Sequence, residues 1–242
     1  TGESAGAGRG LRLIRGFVCA AASAGCGPRR AESPPPVPTA AAQSAGSPIP
    51  ADAAVYAIDP DRSIVTLHVH RAGRLAKLGH NHVITSTSET GHAWTNGTLA
   101  ASGFEVRVAV NELVVDEPAA RAAAGAEFPG ELPESARDGT RTNMLRAEVL
   151  DGERYPEIVV RAVSLGGTWD QPTVTASVAI KDHTRSVDVP LAVVRTDDAI
   201  VARGAFRVLQ SDFGITPVSI AGGAIAVADA VEISFEIHAV RR

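Results

Sequence analysis

The chain is predicted to fold as an all-β protein, a closed or nearly closed antiparallel barrel of about eight strands with a short helical insertion. Three observations carry that expectation: long stretches of period-two alternation, turn residues between them, and a single alanine-rich interruption. Alternation with period two is the mark of a strand with one face turned to a core.

The alternating runs come in chain order. Val65, Leu67 and Val69 alternate with Thr66, His68 and His70, and Phe104, Val106, Val108 and Val110 with Glu105, Arg107 and Ala109. Ile158 to Val163 forms a further run. Val174, Ala176, Val178 and Ile180 share a face, as do Val187, Val189, Leu191 and Val193, with Pro190 on the other side suggesting an edge or a bulge. Ile200, Ala202, Gly204, Phe206 and Val208 follow, and the clearest run places Val231, Ile233, Phe235 and Ile237 opposite Glu232, Ser234, Glu236 and His238. Gly166-Gly167, Asp182-His183 and Asp197-Asp198 read as hairpin turns. Glu117 to Ala126, alanine-rich with Pro118 near its start, reads as a helix, and Thr140 to Leu150 as a second short one. Eight strands can fill their barrel with side chains or leave room for one small ligand.

Composition narrows the classes. Hydrophobic residues are 45% of the 242 and aromatic residues only 4%, so slim aliphatics and alanines must build the core. Net charge is -4; five arginines against Glu3, Glu32 and Asp52 leave the first 53 residues at +2 and the remainder at -6. An acidic body argues against nucleic acid as a partner, because phosphate binding needs a basic surface.

The first 26 residues read as an export signal. Arg9, Arg12 and Arg15 precede a short apolar stretch, Gly16 to Ala24, too short to span a bilayer. Ala22-Ser23-Ala24 suits ordinary signal peptidase, whereas Ser23-Ala24-Gly25-Cys26 is similar to a bacterial lipobox, with Cys26 as the lipidated residue and Ser23 in place of the usual leucine. Cys19 and Cys26 are the only cysteines, so the region beyond has no disulfide framework and no thiolate site. Residues 27–53, rich in Pro, Ala and Ser, read as a tether, and residues 54–242 as the barrel domain. The expected location is the periplasm, with a membrane anchor if Cys26 is acylated.

Four of the seven histidines fall within fifteen residues as two i,i+2 pairs, His68 with His70 and His80 with His82. Side chains at i and i+2 of a strand share a face about 6.6 Å apart, close enough to lean onto one ion. Zinc and copper both suit nitrogen ligands. His92 is a fifth possible partner. The same imidazoles read more readily as hydrogen-bonding groups of a half-buried strand. Other signals of catalysis are thin. Ser63, Ser88 and Ser211 lack a nucleophile-elbow context, and Asp212-Phe213-Gly214 matches a kinase metal motif by letters alone. Glu89, near the histidines in sequence, could act as a base but reads first as a solvated strand-end carboxylate; Asp116-Glu117 reads as a helix-start pair and Asp197-Asp198 as a turn.

Four segments resemble the YceI-like family, the polyisoprenoid-binding barrels of bacterial envelopes: Tyr56-Ala57-Ile58-Asp59-Pro60-Asp61-Arg62-Ser63-Ile64-Val65, Tyr155-Pro156-Glu157-Ile158, Thr184 to Leu191, and Ser211-Asp212-Phe213-Gly214-Ile215. In order and spacing they span about residues 55 to 240. The resemblance implies an extended lipocalin-like barrel whose apolar interior holds an isoprenoid or other long apolar chain. Gly79-His80-Asn81-His82 stands where the family pattern is apolar and aromatic. Asp182 stands in place of a usual glycine, His183 replaces an apolar neighbour, and Glu117 to Asp138 is longer than usual. These departures suggest a histidine-rich branch of the family. The leading expectation is therefore a binding protein; the alternative is a metal-binding protein or metalloenzyme on the same barrel.

Overall fold

The computed structural model describes residues 48–242, and the expectations for the export signal, Cys26 and most of the tether lie outside them. The strands are β1 (Ala54–Ile58), β2 (Ile64–Ala72), β3 (His82–Ser86), β4 (Thr90–Thr95), β5 (Gly103–Ala109), β6 (Val114–Val115), β7 (Glu157–Gly167), β8 (Pro172–Ile180), β9 (His183–Arg195), β10 (Ala199–Leu209), β11 (Ser219–Ile220) and β12 (Ile225–Arg241). Two helices, α1 (Pro118–Ala123) and α2 (Glu134–Leu145), fall between β6 and β7.

Eleven of the twelve pieces make eight barrel staves, and β11 pairs with β12 outside them. β1 pairs with β4 and β2 with β3, so 54–72 and 82–95 form one bent hairpin, broken at residues 59–63 and 87–89. β5 and β6 make the third stave, pairing with β4 and β3 respectively. β7 to β10 follow as neighbouring antiparallel strands. β12 closes the ring, pairing with β10 on one edge and with both β1 and β2 on the other. The result is a closed eight-stranded antiparallel barrel with short helices, as the alternation predicts.

The apolar rows are the inward ones. Val65, Leu67 and Val69 line the interior with Val174, Val189, Ile200, Phe235 and their row-mates. The register keeps these rows together: Val106 faces Val160, Val160 faces Val178, Ala202 faces Ile237 and Ile233 faces Leu67. The outer rows carry charge pairs directly across the strands. Arg203 donates twice to Glu236, at 2.8 and 2.7 Å, and the carboxylate also meets His238 at 2.7 Å. Arg203 first, then His238, hold the Glu236 carboxyl down to about 2. Burial works against charge on Glu105, yet Arg161 and Arg107, at 2.7 and 2.8 Å, keep its carboxyl below the usual range.

Gly103 gives the first staves their close fit. A Cβ there would stand 2.3 Å from the Trp94 ring, which is buried over it, so no larger residue fits without moving the indole.

Several local expectations are corrected. The second helix begins at Glu134 rather than Thr140 and ends at Leu145, because Arg146 turns extended. Val149 and Leu150 reach the core from the turns that follow. The β8–β9 turn is Lys181-Asp182, since Ile180 pairs directly with His183 and Lys181 takes the left-handed conformation. Gly166 and Gly167 end β7, and residues 168–171 make the turn. Pro190 marks no bulge; it stands where β9 loses its β10 partner and becomes a local sheet edge. β9 pairs with β8 through Pro190, but its ladder with β10 stops at Leu191 opposite Gly204. Proline has no N–H to offer the neighbouring strand, and beyond it a groove opens between Arg185–Val187 and Arg207–Leu209.

No helix among the described residues is long and apolar enough to cross a membrane.

Candidate functional site: the barrel interior

The interior holds a cavity of about 260 Å³. For comparison, an apolar cavity of about 150 Å³ is enough to stay dry and take up benzene. Every stave contributes Val, Ile, Leu, Ala or Phe to the wall, and no Asp, Glu, Lys or Arg lines it. Small residues at inward positions create this room. Ala176 is buried between Val187 and Ala162 of the adjoining strands, and Gly204 leaves space for the Phe235 ring, which would lie 2.6 Å from a Cβ.

Two buried clusters bound the cavity at the end nearest the helices. Met144 of α2 packs with Leu113, Val115, Ile84 and Val108. Phe213 and Ile215, from the loop before β12, pack with Val178, Ile180, Val208 and Val231. Toward the other end the lining passes Leu99 to Trp94, Trp169 and His92. There Arg195 lies 4.4 Å over the Trp169 ring, whose N–H donates to the Gly97 carbonyl.

The histidines expected to converge are divided among separate partners. His68 and His70 do share a face, as their spacing requires, but that face is the outside of the barrel. Both rings pack on Phe128, at 4.9 and 5.5 Å, and His70 lies 3.8 Å from Glu232. Burial lowers the His68 pKa, with His70 adding repulsion. His82 instead meets Asp116 at 2.6 Å. His80 is exposed in the loop before it, and His92 lies on β4 beside Trp94. Among the described residues no three His, Cys, Asp or Glu side chains are grouped as a metal site requires.

Asp116 is the principal surprise of this region. Only Glu117 behaves as a helix-start residue, its side chain accepting from the Ala120 N–H at 2.9 Å. Asp116 is wholly buried, in a left-handed conformation, and accepts from the Val83 N–H at 2.9 Å and from Arg121 at 2.7 Å as well as from His82. Burial alone would raise its pKa; His82, the Val83 N–H and Arg121 together hold it below the ordinary range. Arg121 also donates to the carbonyls of Asn81, Pro129 and Gly130. This buried pair ties the segment from 116 to 130 onto β3 and seats Phe128 over the histidines. Nothing in the local sequence around Asp116 or Arg121 distinguishes them from surface charges.

Glu89 corrects another expectation. It sits in the break between β3 and β4 with 0% exposure, and neither carboxyl oxygen has a hydrogen-bond partner among the described residues. Burial pushes its pKa up.

The structure is thus of the lipocalin-like barrel class, a closed antiparallel barrel of eight strands around an apolar cavity with no Asp, Glu, Lys or Arg in its wall. The YceI-like domain model matches residues 56–239, and the chain belongs to that family. Among solved structures, Burkholderia cenocepacia BcnA aligns with a TM-score of 0.54 at 14% identity, over 75% of this chain and 98% of that one. A mutant CJ YCEI protein gives 0.45 at 9% identity, over 64% and 81%. The Campylobacter jejuni YCEI protein gives 0.39 at 9%, over 58% and 72%. Comparison with curated protein sequences gives no match.

Two outcomes test this electrostatic picture. Asp116→Ala leaves Arg121 buried without its partner, and should lower unfolding free energy in a denaturant titration by about 3–5 kcal/mol. Glu89 has a folded pKa above its unfolded value, so its contribution is fully present below the unfolded pKa and is lost as pH rises through the folded one. Glu89→Gln should therefore flatten the decline of melting temperature above about pH 4.3, and the variant should be the more stable form at neutral pH.

Proposed function

We propose that this barrel binds an isoprenoid or another long apolar molecule, holding its chain in the interior cavity. The observation that carries the reading is the wall itself, with aliphatic and aromatic side chains from all eight staves around about 260 Å³ and no charged group among them. Each buried methylene contributes about 0.8 kcal/mol, so two or three isoprene units outweigh an association cost of several kcal/mol. Family membership supports the same ligand class.

In this reading the protein works outside the cytoplasm. Residues 1–26 direct export, Cys26 takes the acyl group, residues 27–53 act as a spacer, and residues 54–242 form the binding domain. The support is the arginine-rich start, the short apolar run and the Ser23-Ala24-Gly25-Cys26 sequence. The chemistry is retention and transfer rather than bond-making.

Native mass spectrometry of the purified protein, followed by organic extraction, is expected to show one non-covalent apolar molecule per barrel. Ala176→Phe should exclude it while costing about 1–3 kcal/mol of stability from overpacking. An interior that takes up no prenol or quinone under any condition ends the carrier reading.

The anchor is tested separately. Wild type should partition into detergent and Cys26→Ser into the aqueous phase; a soluble wild type with its N-terminus at Gly25 would show ordinary secretion instead.

A further inference from the structure

We propose that the end of the barrel formed by the β2–β3 loop and the loop carrying β11 docks on the surface of an anionic lipid bilayer. This goes beyond the carrier reading, and the docking itself does not depend on what the cavity holds.

The two loops form one surface. The Leu75 N–H donates to the Ala224 carbonyl at 2.8 Å, and a Cβ on Gly73 would lie only 2.5 Å from that same oxygen, so the chains touch with no room for a side chain between them. From this joined tip three large apolar side chains stand in solvent: Leu78 at 70% exposure, Ile220 at 58% and Leu75 at 47%. Apolar groups gathered at a protruding tip mark an interaction site rather than a contribution to the core.

The charge around them selects the partner. Residues 71–80 hold Arg71, Arg74 and Lys77 with no carboxylate, and residues 213–228 hold no charged residue at all, although the whole chain carries -4. Arg71 turns its guanidinium back onto the Gly79 carbonyl at 2.9 Å, which steadies the loop. Exposed apolar side chains on a loop that also carries cations match a bilayer interface, where the apolar groups enter the acyl boundary and the cations meet anionic headgroups. An acidic protein surface would match the cations but would leave three separate apolar tips without depth to enter.

The groove between β9 and β10 lies at the same end of the barrel. Val208 and Phe213 border both the groove and the central cavity, and Phe213 leads directly into the loop that carries Ile220. On the carrier reading, docking here would set this groove, whose Val208 and Phe213 also wall the cavity, beside the lipid.

The test uses the full chain with Cys26→Ser, so that no acyl group can hold it to lipid, and a Leu78→Trp probe at the tip. Trp94 and Trp169 lie on other elements and supply a constant background. Vesicles of equal parts phosphatidylglycerol and phosphatidylcholine should shift the probe emission to the blue, and concentrated salt should reverse the shift. Phosphatidylcholine alone should not produce it. In co-sedimentation, Arg74→Gln with Lys77→Gln should weaken binding roughly fivefold per cation, and Leu75→Ser with Ile220→Ser by about tenfold or more. Unchanged melting curves would confirm that these surface variants fold. An absent shift, an equal shift with neutral vesicles, or a shift that follows protein concentration without lipid would each overturn the proposal, the last in favour of a second copy on this face.

Discussion

β12 gives one edge to β10 from Leu209–Ala230 to Ala199–Val240 and divides the other between β2 and β1. That double engagement turns an open meander into a ring. A seventeen-residue strand can do this only because the stave opposite it is bent, broken at residues 59–63 so that each half meets its own length of β12. Ser63 fastens the bend. Its hydroxyl donates to the Asp59 carbonyl at 2.7 Å and accepts from the His238 N–H at 3.0 Å, binding the kink to the closing strand. Closure then fixes the inside of every other strand, because a one-residue slip anywhere would turn a whole apolar row to water.

The consequences for chemistry follow from that sorting. Charges on the outer rows find partners across the strands, and such exposed pairs contribute little to stability individually. What they do is keep the outer face soluble while the inner face carries no charge. The cavity is a by-product of using alanine and glycine where larger side chains would have filled the ring. A composition with 4% aromatic residues leaves few groups able to do so. Among the described residues, the deeply buried ionisable groups lie apart from these rows: Asp116 with Arg121 in the segment strapped to β3, and Glu89 in a strand break.

The barrel was legible in the sequence because period-two alternation is local and each apolar row points to one side whatever its partners. The same local rule correctly placed His68 beside His70. It could not place His80 or His82 relative to them. That depends on the segment from 116 to 130, whose Phe128 packs on the His68 and His70 rings and whose Asp116 engages His82. The burial of Glu89 was equally hidden, since a polar residue in a strand break looks the same whether the bend points it outward or inward. The helix boundary failed for a related reason: Met144, Leu145 and Val149 have helical spacing, but Val149 is delivered by a turn, and the helix gains its length from the polar residues after Pro133 instead.

Pro190 carries a consequence for time rather than for shape. Between β9 and β10 the ladder ends at Leu191, so along the groove the two strands have no shared hydrogen bonds to break. Opening the barrel at that seam displaces side chains, Phe213 and Val208 chief among them, and not backbone pairing. Side-chain rotation is faster by orders of magnitude than local unfolding. That seam can therefore open and close quickly, its rate set by one aromatic ring while the other seven seams keep the fold intact.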